Sequence, residues 1–172
     1  MSFQAKVDYT KSDFFAFSKV HLRTKMKKQR IVQLVCAAVC CLMEILLIVT
    51  TILYRVKDTT FIVLMVLMPI LAAEMLLLPR INAFSMAKTY RKLGTTVMDF
   101  GEQEANIRNR TSQTIYQYSG FDSVCHSDGA YYLFINRQQA LVIPERCFVE
   151  GDPAAFGAFL AEKTGLEVKE LN

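Results

Sequence analysis

At 172 residues the chain has the length of a single domain, yet 52% of it is hydrophobic and its net charge is only +4. The apolar excess is concentrated between Ile31 and Pro79, which excludes an ordinary soluble domain. Charge divides into +6 over residues 1–30, +4 over 80–92 and −5 over 93–172. The folded part is thus net negative, and nucleic acid is not an expected partner.

Phe3, Ala5 and Val7 alternate with polar residues, as a strand with one buried face does. Thr10 and Asp13 then read as a capping-box-like helix start. The helix that follows carries Phe14, Phe17 and His21 on one face and Lys19, Arg23 and Lys27 on another. Residues 1–30 are read as this strand and basic helix.

Two apolar runs come next and predict a two-helix hairpin over 31–79. The first, Ile31 to Tyr54, is 24 residues long and the second, Phe61 to Pro79, is 19. A helix needs about 20 apolar residues to cross a hydrocarbon core. Thirty residues precede the first run, and no A-x-A-like cleavage site is visible, so a signal peptide fits poorly. Lys19, Arg23, Lys25, Lys27, Lys28 and Arg30 lie before the first span, and Arg80, Lys88, Arg91 and Lys92 after the second. Only Arg55 and Lys57 occupy the connecting loop. The excess of bases marks the cytoplasmic side, so both termini are expected there, in a cell inner (plasma) membrane with its anionic lipid under the basic collars.

Inside the spans, Glu44 and Glu74 are the polar residues to explain. Counted from the inner ends of the spans, Glu44 lies about 20 Å deep and Glu74 about 8 Å deep. That difference separates them too far for a shared proton. A neutral, structural Glu44 is the expected reading. Cys36, Ala37, Cys40 and Cys41 give small-residue spacings that suit helix packing. Pro69 is expected to kink the second span. The five cysteines show no disulfide framework.

Residues 80–94 read as a basic juxtamembrane helix, and 95–172 as a cytosolic domain of short strands. Six strands are expected, at Thr95–Phe100, Glu104–Asn109, Thr114–Tyr118, Asp122–His126, Ala130–Asn136 and Ala140–Ile143. Asp128-Gly129 is a two-residue hairpin signal. Asp152 and Pro153 begin a final helix, which Gly165 stops. With the N-terminal strand this makes about seven strands and one capping helix, a small antiparallel barrel on an α-helical membrane hairpin.

In this order stand Phe3, Tyr9 and Phe14-Phe15, the hairpin, Glu104-Ala-Asn-Ile107, Tyr116 and Tyr118, Tyr131-Tyr-Leu-Phe-Ile135 and Ala140-Leu-Val-Ile-Pro-Glu-Arg-Cys-Phe148. The chain resembles the YcxB-like bacterial membrane proteins, whose C-terminal domain is similar to a pleckstrin-homology fold. Tyr116 stands where that family usually has Trp. The resemblance implies architecture and no defined activity.

No Gly-rich phosphate loop, HExxH or CxxC occurs. Cys125 and His126 are consecutive on a strand, so their side chains point to opposite faces and cannot act together. No catalytic, metal or cofactor-binding residues are expected, and no cofactor. Glu102, Glu104 and the negative charge of the domain argue against phosphoinositide headgroups. Arg108 and Arg110, two apart on a strand, are the candidate contacts for an acidic partner. The expected function is a membrane-anchored interaction or regulatory module, not an enzyme, that presents its barrel to a protein or peptide partner or to its own copy. The alternative is a subunit of a transport or channel assembly that uses Glu44.

Overall fold

The computed structural model describes residues 2–54 and 59–171, and Arg55 and Lys57 of the connecting loop lie outside the described residues. Its elements run β1 (Phe3–Val7), α1 (Lys11–Thr24), α2 (Lys27–Tyr54), α3 (Thr59–Leu93), β2 (Thr96–Phe100), β3 (Glu104–Arg108), β4 (Gln113–Gln117), β5 (Ser123–Ser127), β6 (Ala130–Phe134), β7 (Ala140–Pro144), β8 (Phe148–Glu150), α4 (Pro153–Thr164) and β9 (Val168–Glu170). The chain divides into two compact units. One comprises Met1–Lys25 with Ala83–Asn172, the other Met26–Asn82.

In the second unit, α2 and most of α3 form the apolar part. Among the described residues one helix, Lys27–Leu53, is long and apolar enough to cross a membrane, and Val63–Leu78 is a shorter apolar helix. The positions of α2 withdrawn from solvent are Gln33, Cys36, Ala37, Cys40, Glu44, Leu47, Thr50 and Thr51. They recur every three or four residues, as one helix face must. On α3 the withdrawn positions are Met65, Met68, Ala72 and Met75. The Thr51 hydroxyl approaches Met65 Sδ at 4.0 Å, so these two faces meet. Residues 80–93 continue α3 without a break, where a separate juxtamembrane helix was expected.

The first unit is built from both sides of that apolar segment. Alternation decides β1: Phe3, Ala5 and Val7 are buried at 2%, 0% and 0% exposure, while Lys6 faces solvent. β1 lies inside a five-stranded sheet of order β4-β3-β2-β1-β8, antiparallel to both of its neighbours. A second, four-stranded sheet has the order β7-β6-β5-β9, with β9 parallel to β5. The expected closed barrel is therefore corrected to two sheets. β7 ends at Pro144, which has no N–H for a ladder, and the 3-10 turn Glu145–Cys147 carries the chain into the other sheet as β8. The sheets meet there through a turn, not a continuous ladder.

Between the sheets lies a core of Phe3, Val7, Met98, Phe100, Leu133, Ile143 and Phe156, among others. α4 closes it. Asp152 caps this helix by accepting from the Ala154 N–H at 3.0 Å, and Gly165 ends it at φ +68°. A second cluster on the other face of the β5–β6–β7 sheet holds Cys125, Tyr132, Phe134 and Val142 with Phe17 and Val20 of α1. The Asp128-Gly129 turn joins β5 to β6 with both residues at positive φ, as a two-residue hairpin requires.

Candidate interaction site

The sheet unit carries a groove of about 370 Å³. It gathers three stretches of chain. Tyr9, Phe14 and Phe17 come from the N-terminal segment, Tyr116 from β4, Gln138 and Gln139 from the β6–β7 turn, and Ala140 and Val142 from β7. None of these side chains is charged. Tyr9 and Phe14 sit with ring centroids 5.5 Å apart, and Tyr116 leans on Phe121. Such a lining suits apolar or aromatic groups, with the Gln138 carboxamide beside them for hydrogen bonds, while the Gln139 carboxamide oxygen accepts from Asn136.

The groove runs beside a strand edge. Ile135 N–H donates to the Gln139 carbonyl, which fixes the odd-numbered residues of β7 as those bonded to β6. Ala140 and Val142 therefore turn their main-chain groups outward. The Val142 carbonyl accepts a hydrogen bond from the Tyr9 hydroxyl at 3.0 Å.

Helix α1 is held over this region by an ion pair whose carboxylate is buried. Asp13 is 7% exposed and accepts from the Arg146 guanidinium at 2.6 Å. The Thr10 N–H donates to the same carboxylate at 2.8 Å, completing the cap expected from the sequence. Burial pushes the Asp13 carboxyl up, but Arg146 and Thr10 outweigh it and hold its pKa below the ordinary value. Glu145, next in sequence, accepts from His126 Nε2 at 2.9 Å, while Glu170 of β9 takes Nδ1 at 2.8 Å. Desolvation lowers the His126 pKa, and the two carboxylates overcome it and raise it.

His126 yields a pH prediction. A raised folded pKa means its contribution is fully present below the unfolded value, about 6.5, and is lost as pH rises through the folded value. His21, half-buried on α1, has a pKa lowered by burial and acts in the opposite sense. The difference between the wild type and His126→Gln isolates the first effect. The thermal midpoint of the wild type is expected to exceed that of the variant most at pH 5.5 and least at pH 8.5. A constant gap across that range would refute the assignment.

The residues singled out from the sequence are placed unequally. Cys125 is buried under α1 and His126 points to the opposite face, so the two do not meet. Burial also raises the Cys125 thiol, which leaves it a weak nucleophile. Arg108 is on β3 and donates to Asp99 at 2.7 Å, whereas Arg110 lies past the end of β3 in the turn that Asn109 organises. The two arginines thus share no strand face. Lys19 pairs with Asp128, and Lys25 pairs with Asp122 and sits over the Phe134 ring. Those two bases serve the fold. Arg23 is exposed on α1, and Lys27, Lys28 and Arg30 are exposed at the start of α2. Lys88 is exposed on α3, while the side chains of Arg80, Arg91 and Lys92 lie outside the described residues.

Glu44 and Glu74 require a correction. The Thr51–Met65 contact puts residue 44 level with residue 72, and Glu74 within about 3 Å of that level. Depth counted from the inner ends had separated them because the two runs are unequal in length. They are still no pair. Glu44 is on the withdrawn face with Oε2 buried and without a hydrogen-bond partner, while Glu74 is exposed on another side of α3.

Residues 100–160 match the YcxB-like protein family. This stretch resembles that family. It runs from the end of β2 into α4 and contains Tyr116, Val142, Glu145 and Arg146. The YcxB-like stretch thus supplies one wall of the groove, and residues outside it, Tyr9, Phe14 and Phe17, supply the other. No curated protein and no solved structure matches the chain. Among the described residues no cluster of three metal-ligating side chains occurs.

Sequence reasoning did not find the groove, because its lining comes from three separate stretches. The signal available was Arg146. A charged residue inside an apolar segment next to Pro144 asks for a partner, and Asp13 was already marked as a cap.

Proposed function

We propose that the chain is a membrane-anchored interaction module that recruits an extended peptide of a partner protein. In this reading α2 and the apolar half of α3 cross the inner membrane as a hairpin, and both termini are cytoplasmic. Lys27, Lys28 and Arg30 then meet anionic lipid. The two-sheet unit is read as pleckstrin-homology-like and as non-catalytic. The observation that carries the proposal is the uncharged aromatic groove beside the outward edge of β7. A peptide laid along that edge gains specificity from a pocket that takes a side chain and affinity from main-chain bonds, for which the outward groups of Ala140 and the Val142 N–H remain once Tyr9 has taken the Val142 carbonyl.

The test is a photo-crosslinking residue at Gln138 in the full chain in native membranes. One discrete protein adduct is expected, and Ala140→Trp, which fills the groove, is expected to abolish it. Adducts to lipid alone, or an adduct indifferent to Ala140→Trp, would overturn the reading. The unpartnered Glu44 Oε2 favours a second reading, a subunit of a transport assembly. Loss of ion flux in Glu44→Gln at unchanged abundance would raise it above the first.

A further inference from the structure

Four strand edges bound the two sheets; β8 and β9 are protected, and β7 is blocked in part, at Val142 and Pro144. β8 is three residues long and its pairing with β1 is irregular. β9 is three residues long and carries Lys169 and Glu170. β7 ends in Pro144 and has Tyr9 bonded to its outward carbonyl at Val142. Short length, bulges, charge, proline and cover are the usual means of keeping an edge unpaired.

β4 has none of them. It is Gln-Thr-Ile-Tyr-Gln, five residues in unbroken register with β3, without charge or proline. Ile115, at its centre, is 53% exposed. The outward residues follow from the ladder. Asn109 N–H donates to the Ser112 carbonyl, so even-numbered residues of β4 bond to β3. Gln113, Ile115 and Gln117 therefore present their N–H and C=O groups to the open side.

We infer that β4 is the seam of a homodimer in which it pairs antiparallel with β4 of a second copy about a two-fold axis at Ile115. In that register Ile115 faces Ile115, and Gln113 faces Gln117. The outward-pointing residues Gln113, Ile115 and Gln117 fall opposite one another, with Thr114 and Tyr116 as the non-bonded pairs between them, which gives about six main-chain hydrogen bonds. No charge opposes a like charge. Glu104 and Arg108 lie on β3 level with Gln117 and Gln113, so each flanking row has Glu104 of one copy at one end and Arg108 of the other at the opposite end. An isologous contact must be self-complementary in this way. A foreign peptide is the poorer occupant, because its side chains would meet a flat row of Gln, Ile and Gln without a pocket.

Five residues bury too little surface to hold a dimer in dilute solution, where about 1,200 Å² is needed. The affinity argument thus rests on the membrane-anchored reading, since tethering in one bilayer raises the effective concentration of a copy.

The test uses the full chain in native membranes. Retention after an alkaline wash is measured first, and its failure would remove the anchoring without bearing on the register. Paired residues of this kind have Cα atoms about 5.5 Å apart, within disulfide range. Oxidation of Ile115→Cys is expected to give a reducible dimer above the wild-type background from its native thiols. Val149→Cys, exposed on the β8 edge, is the control expected to stay at background. Separately, Ile115→Lys and Ile115→Glu each place like charges opposite one another. Each is expected to lower amine-crosslinked dimer on the order of fivefold, with co-expression of the two restoring it. The exposed position makes misfolding of both an unsuitable explanation for such a rescue. No reducible dimer of Ile115→Cys, or dimer that persists in both charged variants, overturns the seam, as does capture of another protein at position 115.

Discussion

Deleting residues 2–8 is expected to abolish cooperative unfolding of the two-sheet unit. β1 is an interior strand, with β2 on one side and β8 on the other. Without it β8 has no partner strand, and the sheet keeps only β4-β3-β2. Phe3 packs on Phe156 and Phe159 at 5.1 and 4.8 Å, so its loss also opens the core under α4. Removal of a buried Phe costs about 3–5 kcal/mol, against a total stability of about 5–15 for a domain. Ala5 and Val7 add to the deficit. Three soluble fragments test this: residues 95–172 alone, the same with 1–25 joined by a flexible linker, and the same with 9–25. Only the second is expected to show a sharp denaturation transition, because only it supplies both β1 and α1. A common midpoint for the second and third would show that β1 is dispensable.

That β1 was legible at all follows from its one buried face, which alternation reports directly. The same holds for α4, whose stop and start are set by Asp152, Pro153 and Gly165 within the segment itself. β8 and β9 were not legible. Each is three residues long, and what makes them strands is a neighbour far along the chain. Val168, for instance, lies opposite Val124, and nothing local marks that pairing. Charge pairing was not legible for a related reason. Lys19 and Lys25 look like lipid contacts beside an apolar run, yet Asp128 and Asp122 lie opposite them only once β5 and β6 have folded against α1. The groove shares this origin, since Tyr9 and Val142 are brought together by tertiary structure alone.

Gly151→Ala is expected to cost about 2–5 kcal/mol. Two penalties coincide there. Gly151 has φ +87°, a region that residues with a Cβ enter at a cost of about 1–2 kcal/mol. A Cβ at Gly151 would also stand 2.3 Å from Cδ1 of Phe3. The ring cannot yield, because Phe148, Phe156 and Phe159 surround it. Gly165 separates the two penalties, as it has φ +68° with nothing within 4 Å of a built Cβ. Gly165→Ala is therefore expected to show the backbone cost alone. Phe3→Val withdraws the ring while keeping a strand-forming residue. In that background Gly151→Ala should cost no more than Gly165→Ala. Urea midpoints of the six combinations (the wild type and Phe3→Val, each with neither, Gly151→Ala or Gly165→Ala) give the coupling directly. Equal costs for the two glycines in the wild-type background would show that the Phe3 ring does not set the requirement at 151. A Gly151→Ala cost unchanged by Phe3→Val would show the same, and would assign the whole penalty to the backbone of the β8–α4 turn.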